Sequence, residues 1–472
     1  MKRFTLILSL ILFASVGLFA QNTTQPATGQ AQPAATQDQS AAQPASNATP
    51  QPTLDTGATA WMIVASALVL MMTIPGLAFF YGGLVRRKNV LSTMMHSFGI
   101  TAIVSVQWVV IGYSLAFGTA GSTGLQPFIG GFQWAFLNGI GPNDLSPYVD
   151  PQMATHAVPH YIYIMFQGMF AVITPALIAG AFAERIKFSG FFIFTILWAT
   201  LVYDPIAHWV WSSTGWLAKL GALDFAGGTV VHMNSGVAAL VMAIMLGRRR
   251  YFPDSATPPH NVPFVVLGAS LLWVGWFGFN AGSGVGADGL AASAFLVTNT
   301  ATAMAALSWM MMDTIFTGKP TTVGAATGAV AGLVAITPAS GFVNVIGSLV
   351  IGFVVSIVCY LAVVFLKRSL KYDDALDAFG VHGIGGTWGS LGTGLFATAM
   401  IQPGLNGLFY GHPQQMLFQL ADIGATLVYS GVVTFILFKI TDWIVGIRVK
   451  PHEEDIGLDL TQHNEKAYTV LE

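Results

Sequence analysis

Two histidines sit where histidine is costly. His232 lies in Asp224-Phe-Ala-Gly-Gly-Thr-Val-Val-His232-Met-Asn-Ser-Gly236, and His382 in Asp377-Ala-Phe-Gly-Val-His382-Gly-Ile-Gly-Gly-Thr-Trp388. At about 1.5 Å rise per residue, His232 stands roughly 12 Å past Asp224, well inside a hydrocarbon layer about 30 Å thick. An ionisable group at that depth marks by default a pathway or a proton relay. A lone membrane histidine serves as readily to hydrogen-bond a neighbouring helix. Two of them, each a few residues after an Asp, favour function. A neutral imidazole offers one donor and one acceptor, so two in contact can pass a proton or present a neutral polar edge. Neither has a carboxylate, Cys or third His at ligand spacing beside it, so no metal is expected.

Aromatic residues form the second group. Phe166 and Phe170 are i, i+4, while Trp276, Phe279 and Ser283 are i, i+3, i+7, so each set lines one helix face. Such stripes usually face lipid or core, and Trp211 ends an apolar run where Trp is common for interfacial reasons. Trp211 and Ser283, both at outer helix ends, could instead form a cation–π and hydroxyl cage for a small cation. A cation–π contact contributes about 0.5–2 kcal/mol, enough to attract without trapping. Asp224 has two readings, cation ligand or N-cap of the following helix; its place directly before an apolar run favours the cap. Asp204, near the outer face, receives no role.

The elements that position these residues follow from composition. Of 472 residues 54% are hydrophobic and only 8% charged, against about 25% charged in a soluble domain. The chain is solvated mainly by lipid. Its net charge of −2 selects no partner, and nothing calls for nucleic acid. Cys359, the single cysteine, lies in an apolar run and reads as a packing residue.

Residues 1–20 open Met1-Lys2-Arg3 and run apolar to Ala20, a secretory signal peptide or else an uncleaved anchor. Residues 21–53 are Gln, Asn, Thr, Ser, Ala and Pro almost throughout and cannot bury a core, which predicts a disordered extracytoplasmic linker. Hydropathy then places spans near 58–83, 90–117, 160–184, 188–211, 224–246, 261–281, 288–313, 322–338, 342–366, 380–399 and 415–445. The membrane domain is thus 54–447, with a tail at 448–472.

Lys and Arg at 86–88, 185–187, 248–250, 319 and 367–371 occupy alternate loops, with Lys219 alone on the other side. By the positive-inside rule the mature chain begins outside and ends in the cytoplasm. Spans five and ten then run antiparallel, each with its His after an Asp. The expected fold class is an all-α polytopic membrane protein of eleven transmembrane helices, a five-plus-five inverted repeat with an extra C-terminal helix as brace. Small residues at four-residue spacing, Gly324, Gly328 and Gly332, Gly385 and Gly389, Gly278 and Gly282, predict close helix packing.

These residues together resemble the ammonium transporter (Amt/Mep/Rh) family from about Ala58 to Tyr468. The motifs that carry the resemblance are Asp224 through His232, Gly275-Trp-Phe-Gly-Phe-Asn-Ala-Gly-Ser283, Phe379-Gly-Val-His382-Gly and Ala183-Glu-Arg185. The resemblance implies a homotrimer in a bacterial cytoplasmic membrane, with one pore per subunit and no cofactor. It implies an outer recruitment site at Trp211 and Ser283 with Phe166 and Phe170, and a stacked gate of Phe170 and Phe279. It further implies a pore lined by His232, His382 and Trp276, and a structural aspartate at Asp224. Ammonium, ammonia and methylammonium are the substrates it implies, and a PII-type signalling protein the cytoplasmic partner.

The expected function is recruitment of ammonium, its deprotonation, and conduction of ammonia. Two alternatives remain: a sensor acting through a cytosolic partner, and an Rh-like channel for uncharged solutes, which leaves the cage unexplained. A membrane enzyme is rejected, for lack of a nucleophile–base pair or phosphate-cradling loop. In the tail, Ile456, Leu458 and Leu460 punctuate acidic sequence, and basic loops at Arg248–Arg250 and Lys367–Lys371 offer it a docking surface.

Overall fold

The computed structural model describes residues 52–121, 124–148, 156–250, 252 and 258–468. The signal peptide expected over 1–20 and the linker over 21–53, except its last two residues, lie outside the described residues. At that margin Thr53–Leu54 (β1) pairs in parallel with His156–Ala157 (β2). Beyond this short pair the architecture is helical.

The helices are α1 (Thr56–Leu84), α2 (Arg87–Phe117), α3 (His160–Phe182), α4 (Phe188–Leu220, with a turn at 212–215), α5 (Gly228–Leu246), α6 (Val262–Gly282) and α7 (Gly289–Thr317). They continue as α8 (Thr322–Ile336), α9 (Val345–Leu370), α10 (residues 379–396) and α11 (Gln414–Val445). Among the described residues nine helices, all of these but α8 and α10, are long and apolar enough to cross a bilayer. The chain is a multi-pass membrane protein.

Helix starts are written in polar side chains, because lipid cannot satisfy a free amide. Asp55 accepts from the Ala58 N–H at 2.8 Å, Asn261 from Phe264 at 3.0 Å, Asp288 from Ala291 at 2.9 Å, Thr321 from Gly324 at 2.9 Å and Asn344 from Gly347 at 3.0 Å. Glycine then sets the helix spacing. A Cβ on Gly328 would stand 2.4 Å from the Trp309 Cβ, and one on Gly332 2.8 Å from the Thr302 Cα, so α8 lies on α7 only while both remain glycine. Gly278 and Gly282 likewise bring α6 onto Ala65 of α1.

The arginine-rich end of the bundle is tied by buried ions. Glu184, at a φ of +71°, accepts from the Arg86 N–H at 2.8 Å, Asn89 Nδ2 at 2.9 Å and Arg249 Nη1 at 3.1 Å. Arg249 also pairs with Asp373 at 2.8 Å. Burial alone would raise both carboxyls, but Arg249 with Arg86 holds Glu184 low, and Arg249 with Arg185 holds Asp373 low.

Two short helices of the tail, α12 (Pro451–Ile456) and α13 (Leu458–His463), pack on this end. The docking differs from expectation. Leu458 is buried, whereas Ile456 and Leu460 stay exposed. Asp459 accepts from the Ser92 N–H at 2.8 Å, Glu454 from the Arg250 N–H at 2.7 Å, and Leu458 donates to Asn89 Oδ1 at 2.8 Å. The tail therefore seats on the start of α2 and on Arg250. The segment Lys367–Lys371 is engaged elsewhere: Lys367 pairs with Asp377 at 2.6 Å, and the Lys371 carbonyl accepts from Arg248.

Candidate functional site

α5 begins in a wide turn. Residues Gly228–Met233 form π-helix before the α-helix proper starts at Asn234, and His232 sits in that turn. π-helical turns inside α-helices are frequent at functional sites. The leading amides need acceptors, and Asp224 supplies them: Oδ1 takes Gly227 (2.8 Å) and Gly228 (2.6 Å), Oδ2 takes Thr229 (2.9 Å) and Val230 (3.2 Å). Asp224 thus has the hydrogen bonds of a cap.

α10 is built the same way. Phe379–Gly383 is π-helical and holds His382, with α-helix from Ile384. The carboxylate that serves this turn is not Asp377, which adopts a φ of +60° and pairs with Lys367. It is Asp374, which accepts from Ala378 (3.1 Å) and Phe379 (2.8 Å). Asp374 precedes His382 by the interval that separates Asp224 from His232. That equal spacing was present in the sequence, and the nearer Asp377 obscured it.

The two turns cross on glycine. A Cβ on Gly236 would lie 2.1 Å from the Gly383 nitrogen, and one on Gly386 2.8 Å from the Met233 nitrogen and 3.2 Å from the His232 Cβ. Each glycine stands four residues after its histidine. The crossing brings the imidazoles together at 5.4 Å between centroids, inclined by 16°.

A file of rings continues from them. His232 lies 5.1 Å from Trp276 and 5.9 Å from Phe279. Phe279 stacks on Phe170 at 4.1 Å, and Phe170 meets Phe166 at 4.9 Å edge-on. All of these rings are buried. Trp276 is held by its Nε1–H on Thr337 Oγ1 (2.8 Å), beside Asn280 and Thr298, which sequence reasoning did not single out.

At the far end of the file Trp211 meets Phe170 edge-on at 5.6 Å and donates its Nε1–H to the Asp224 carbonyl at 2.9 Å. Ser283 closes α6 and donates to the Phe279 carbonyl at 2.9 Å. The structure therefore gathers Phe166, Phe170, Trp211, Phe279, Trp276, His232 and His382 in one run, with Ser283 tied to it through Phe279. Both ring nitrogens of His232, and Nδ1 of His382, are buried with no hydrogen-bond partner among the described residues. Polar atoms left so in a packed interior call for a ligand or water.

Asp204 is buried in α4 and accepts from Gln107 at 2.8 Å, apart from this file. Two further residues were missed: Thr229 and Asp422. Thr229 Oγ1 lies 2.6 Å from Asp224 Oδ2 and 2.8 Å from Asp422 Oδ2 of α11. α11 is thus more than a brace.

A many-pass helical bundle with an apolar, aromatic file and bare imidazoles at its centre belongs to the class of small-solute membrane transporters. Comparison with known proteins makes this specific. The model of the Ammonium Transporter Family matches residues 60–468, and the chain belongs to that family. It is 51% identical over 413 residues to an ammonium transporter of Bacillus subtilis, covering 87% of this chain and 98% of that protein. It is 46% identical over 413 residues to ammonium transporter Amt1 of Archaeoglobus fulgidus, covering 88% and 99%. Among solved structures it superposes on Saccharomyces cerevisiae Mep2 with a TM-score of 0.76 at 38% identity, covering 84% of this chain and 88% of that one. It matches a sensor Amt protein with a TM-score of 0.76 at 30% identity, covering 86% and 98%.

Proposed function

We propose that this ammonium transporter takes up ammonium at a mouth formed by Trp211 and Ser283 with Phe166 and Phe170. Ammonium gives up its proton there, to the water outside or onward to the histidine pair as a relay. Ammonia passes the Phe170–Phe279 stack and runs along His232, Trp276 and His382; recording current and internal pH together tells the two proton routes apart. The observation that carries this reading is the buried imidazole pair with three unpartnered ring nitrogens at the end of a closed aromatic file. Bare charge at mid-membrane costs at least about 2.5–3.5 kcal/mol by insertion scales, which favours the uncharged species. Neutral imidazole then offers the polar edge that ammonia needs.

The same proposal fixes the threading. α8 and α10 join the nine longer helices as crossings, giving eleven. The first five helices and the next five form an inverted repeat. Its support is the shared plan of α5 and α10: carboxylate, π-turn histidine, crossing glycine. Basic loops then face the cytoplasm of a bacterial inner membrane, the signal peptide is removed, and three copies associate. A PII-type protein blocks the cytoplasmic mouths, reading the tail and Arg250.

The test is reconstitution in lipid vesicles with ammonium jumps, recording current and internal pH together. The parent is expected to transport. The double variant His232→Leu with His382→Leu is expected to assemble and to lose ammonium-driven uptake selective over other monovalent cations. Unchanged selective uptake in that variant sinks the pore assignment. Adding a PII-type protein to the cytoplasmic face of the same vesicles is expected to stop uptake, and only with the 448–472 tail and basic loops intact. Failure under every adenine-nucleotide and 2-oxoglutarate condition removes that partner.

A further inference from the structure

The hydroxyl of Thr229 is placed between two carboxylates and has one proton to give. At 2.6 Å from Asp224 Oδ2 and 2.8 Å from Asp422 Oδ2, both contacts are at hydrogen-bonding distance. A hydroxyl can donate to one of them only. The other contact is favourable only if that carboxyl carries a proton and donates to Thr229. Asp224 is the anion of the two, because four backbone N–H groups and a helix start converge on it. Asp422 receives no backbone N–H among the described residues. Its Oδ1 is buried beside the Thr426 hydroxyl, one turn further along α11, with no formed hydrogen bond among the described residues, and it lies roughly 12 Å along α11 from Gln414.

Among the described residues no basic group relieves it, and no ion pair reaches Asp422. On the elements packed against α11, Asp204 of α4 is held by Gln107 at 2.8 Å, and His208 of α4 lies against the carbonyls of Ala116 and Gln126 at 2.8 and 2.7 Å. His232 of α5 and His382 of α10 face each other at 5.4 Å, and Lys219 is exposed at the end of α4. Among the described residues Asp224 is the ionisable side chain that meets Asp422, through Thr229. An unpaired buried charge is costly in lipid, and a neutral acid with an acceptor is not.

We propose that Asp422 is a neutral carboxylic acid at neutral pH, donating to Thr229, which donates to Asp224, and that this chain holds the transporter's outer mouth in register. A negative charge on Asp422 is not needed at this depth; what the site requires is a donor. The mouth is reached directly, since the Asp224 carbonyl accepts from Trp211 at 2.9 Å. Asp422 is therefore a positioning residue. This last link rests on the proposed role of Trp211, whereas the protonation state does not. When Asp422 loses its proton at high pH, two anions face one hydroxyl and the mouth loosens.

The test has a spectroscopic and a transport arm, both on the full chain in lipid. The infrared spectrum of the parent at neutral pH is expected to show the carbonyl stretch of a protonated carboxylic acid that Asp422→Asn lacks. Identical spectra in that region overturn the proposal. Thr229→Val removes the acceptor and is expected to move the same band to higher frequency, which decides the question should the Asn variant fail to assemble. In ammonium uptake, Asp422→Val is expected to raise the half-saturating concentration about fivefold, the size of one lost hydrogen bond. Asp422→Asn, which keeps a donor toward Thr229, is expected to restore it and to remove the parent's rise at alkaline pH. An Asn variant as impaired as the Val variant, or an alkaline rise that persists in it, overturns the link to the mouth. Parent vesicles that take up no ammonium would instead sink the proposed function, and the infrared band would still decide the protonation of Asp422.

Discussion

The arm that carries His232 and the arm that carries His382 share a backbone plan and differ in what surrounds it. Both set a carboxylate at one interval before the histidine, a π-helical turn around it, and a glycine four residues after it. Around Asp224 the neighbours are an indole and a hydroxyl: Trp211 donates to its carbonyl and Thr229 lies against its carboxylate, with Trp276 and Phe279 beside His232 beyond. Around Asp374 they are ions: Asp373, Arg185, Arg249 and the Lys367–Asp377 pair. The backbone plan brings two imidazoles into contact, and the surroundings make one end apolar and the other charged. Polarity along the file is thus a property of side chains added to a shared frame.

The largest effect should come from attacking what the arms share. Their crossing leaves no room for a side chain: a Cβ on Gly236 meets backbone at 2.1 Å, and one on Gly386 meets the Gly228 carbonyl at 2.6 Å. Backbone cannot step aside as a flexible side chain can, and overpacking alone costs about 1–3 kcal/mol. Gly236→Val is expected to yield no assembled protein by gel filtration in detergent. Gly236→Ala should lower the thermal midpoint more than Gly386→Ala. The reverse order would show that the two arms do not bear the crossing as the contacts imply.

That crossing marks the limit of what the sequence made legible. Helix bounds came from hydropathy to within a few residues, because lipid imposes one rule on every span, except that α4 resumes after the turn at 212–215 and runs to Leu220. The histidines stood out because ionisable groups are rare at depth. Asp374 was hidden by Asp377, which is closer in sequence but turned by its positive φ toward Lys367. Asp422 was hidden for another reason: its partner Thr229 lies on a distant span, and no local spacing announces a contact between α5 and α11. The tail packs on the start of α2 and on Arg250, and its apolar punctuation does not show which residues make that seat. Of Ile456, Leu458 and Leu460 only Leu458 is buried, and the seat is built from side-chain acceptors such as Asn89 and Asp459.

A smaller effect should separate the arms. Trp211→Leu removes the cation–π face on which the proposed mouth rests and is expected to raise half-saturation for ammonium roughly two- to thirtyfold, the equivalent of about 0.5–2 kcal/mol. The His382 arm has its own aromatic pair, Tyr372 and Phe379, edge-on at 6.2 Å. Tyr372→Leu is expected to leave half-saturation from the outer side unchanged. Equal shifts in both variants would argue that the aromatic residues act through packing, and that the His232 arm has no special claim on the cation.

The smallest effect concerns the charged end alone. Burial first, and the neighbouring Asp377 second, push the Asp374 carboxyl up to about 6, from an ordinary 3.8. A carboxyl raised in the folded state takes up a proton before the unfolded chain does. Its contribution to stability is therefore full below 3.8, shrinks as pH rises toward 6, and is gone above. Acidifying from pH 7 to 5 should stabilise the parent through this group, by at most about 1.4 kcal/mol per pH unit. Glu184 and Asp373, held low by their arginines, act oppositely: their contribution is present above the ordinary carboxylate range and is lost as pH falls through their folded values. His463, which burial lowers, also loses stability on acidification, so the parent's curve alone is a sum. The informative quantity is the difference between parent and Asp374→Asn, in which groups remote from Asp374, such as His463, cancel and only Asp374 with its neighbours Asp377 and Lys367 remains. Thermal midpoints in detergent should show the parent gaining on the variant from pH 7 to 5. A constant difference across that range would mean that Asp374 does not titrate there, and that the charged surroundings hold it as firmly ionised as its neighbours.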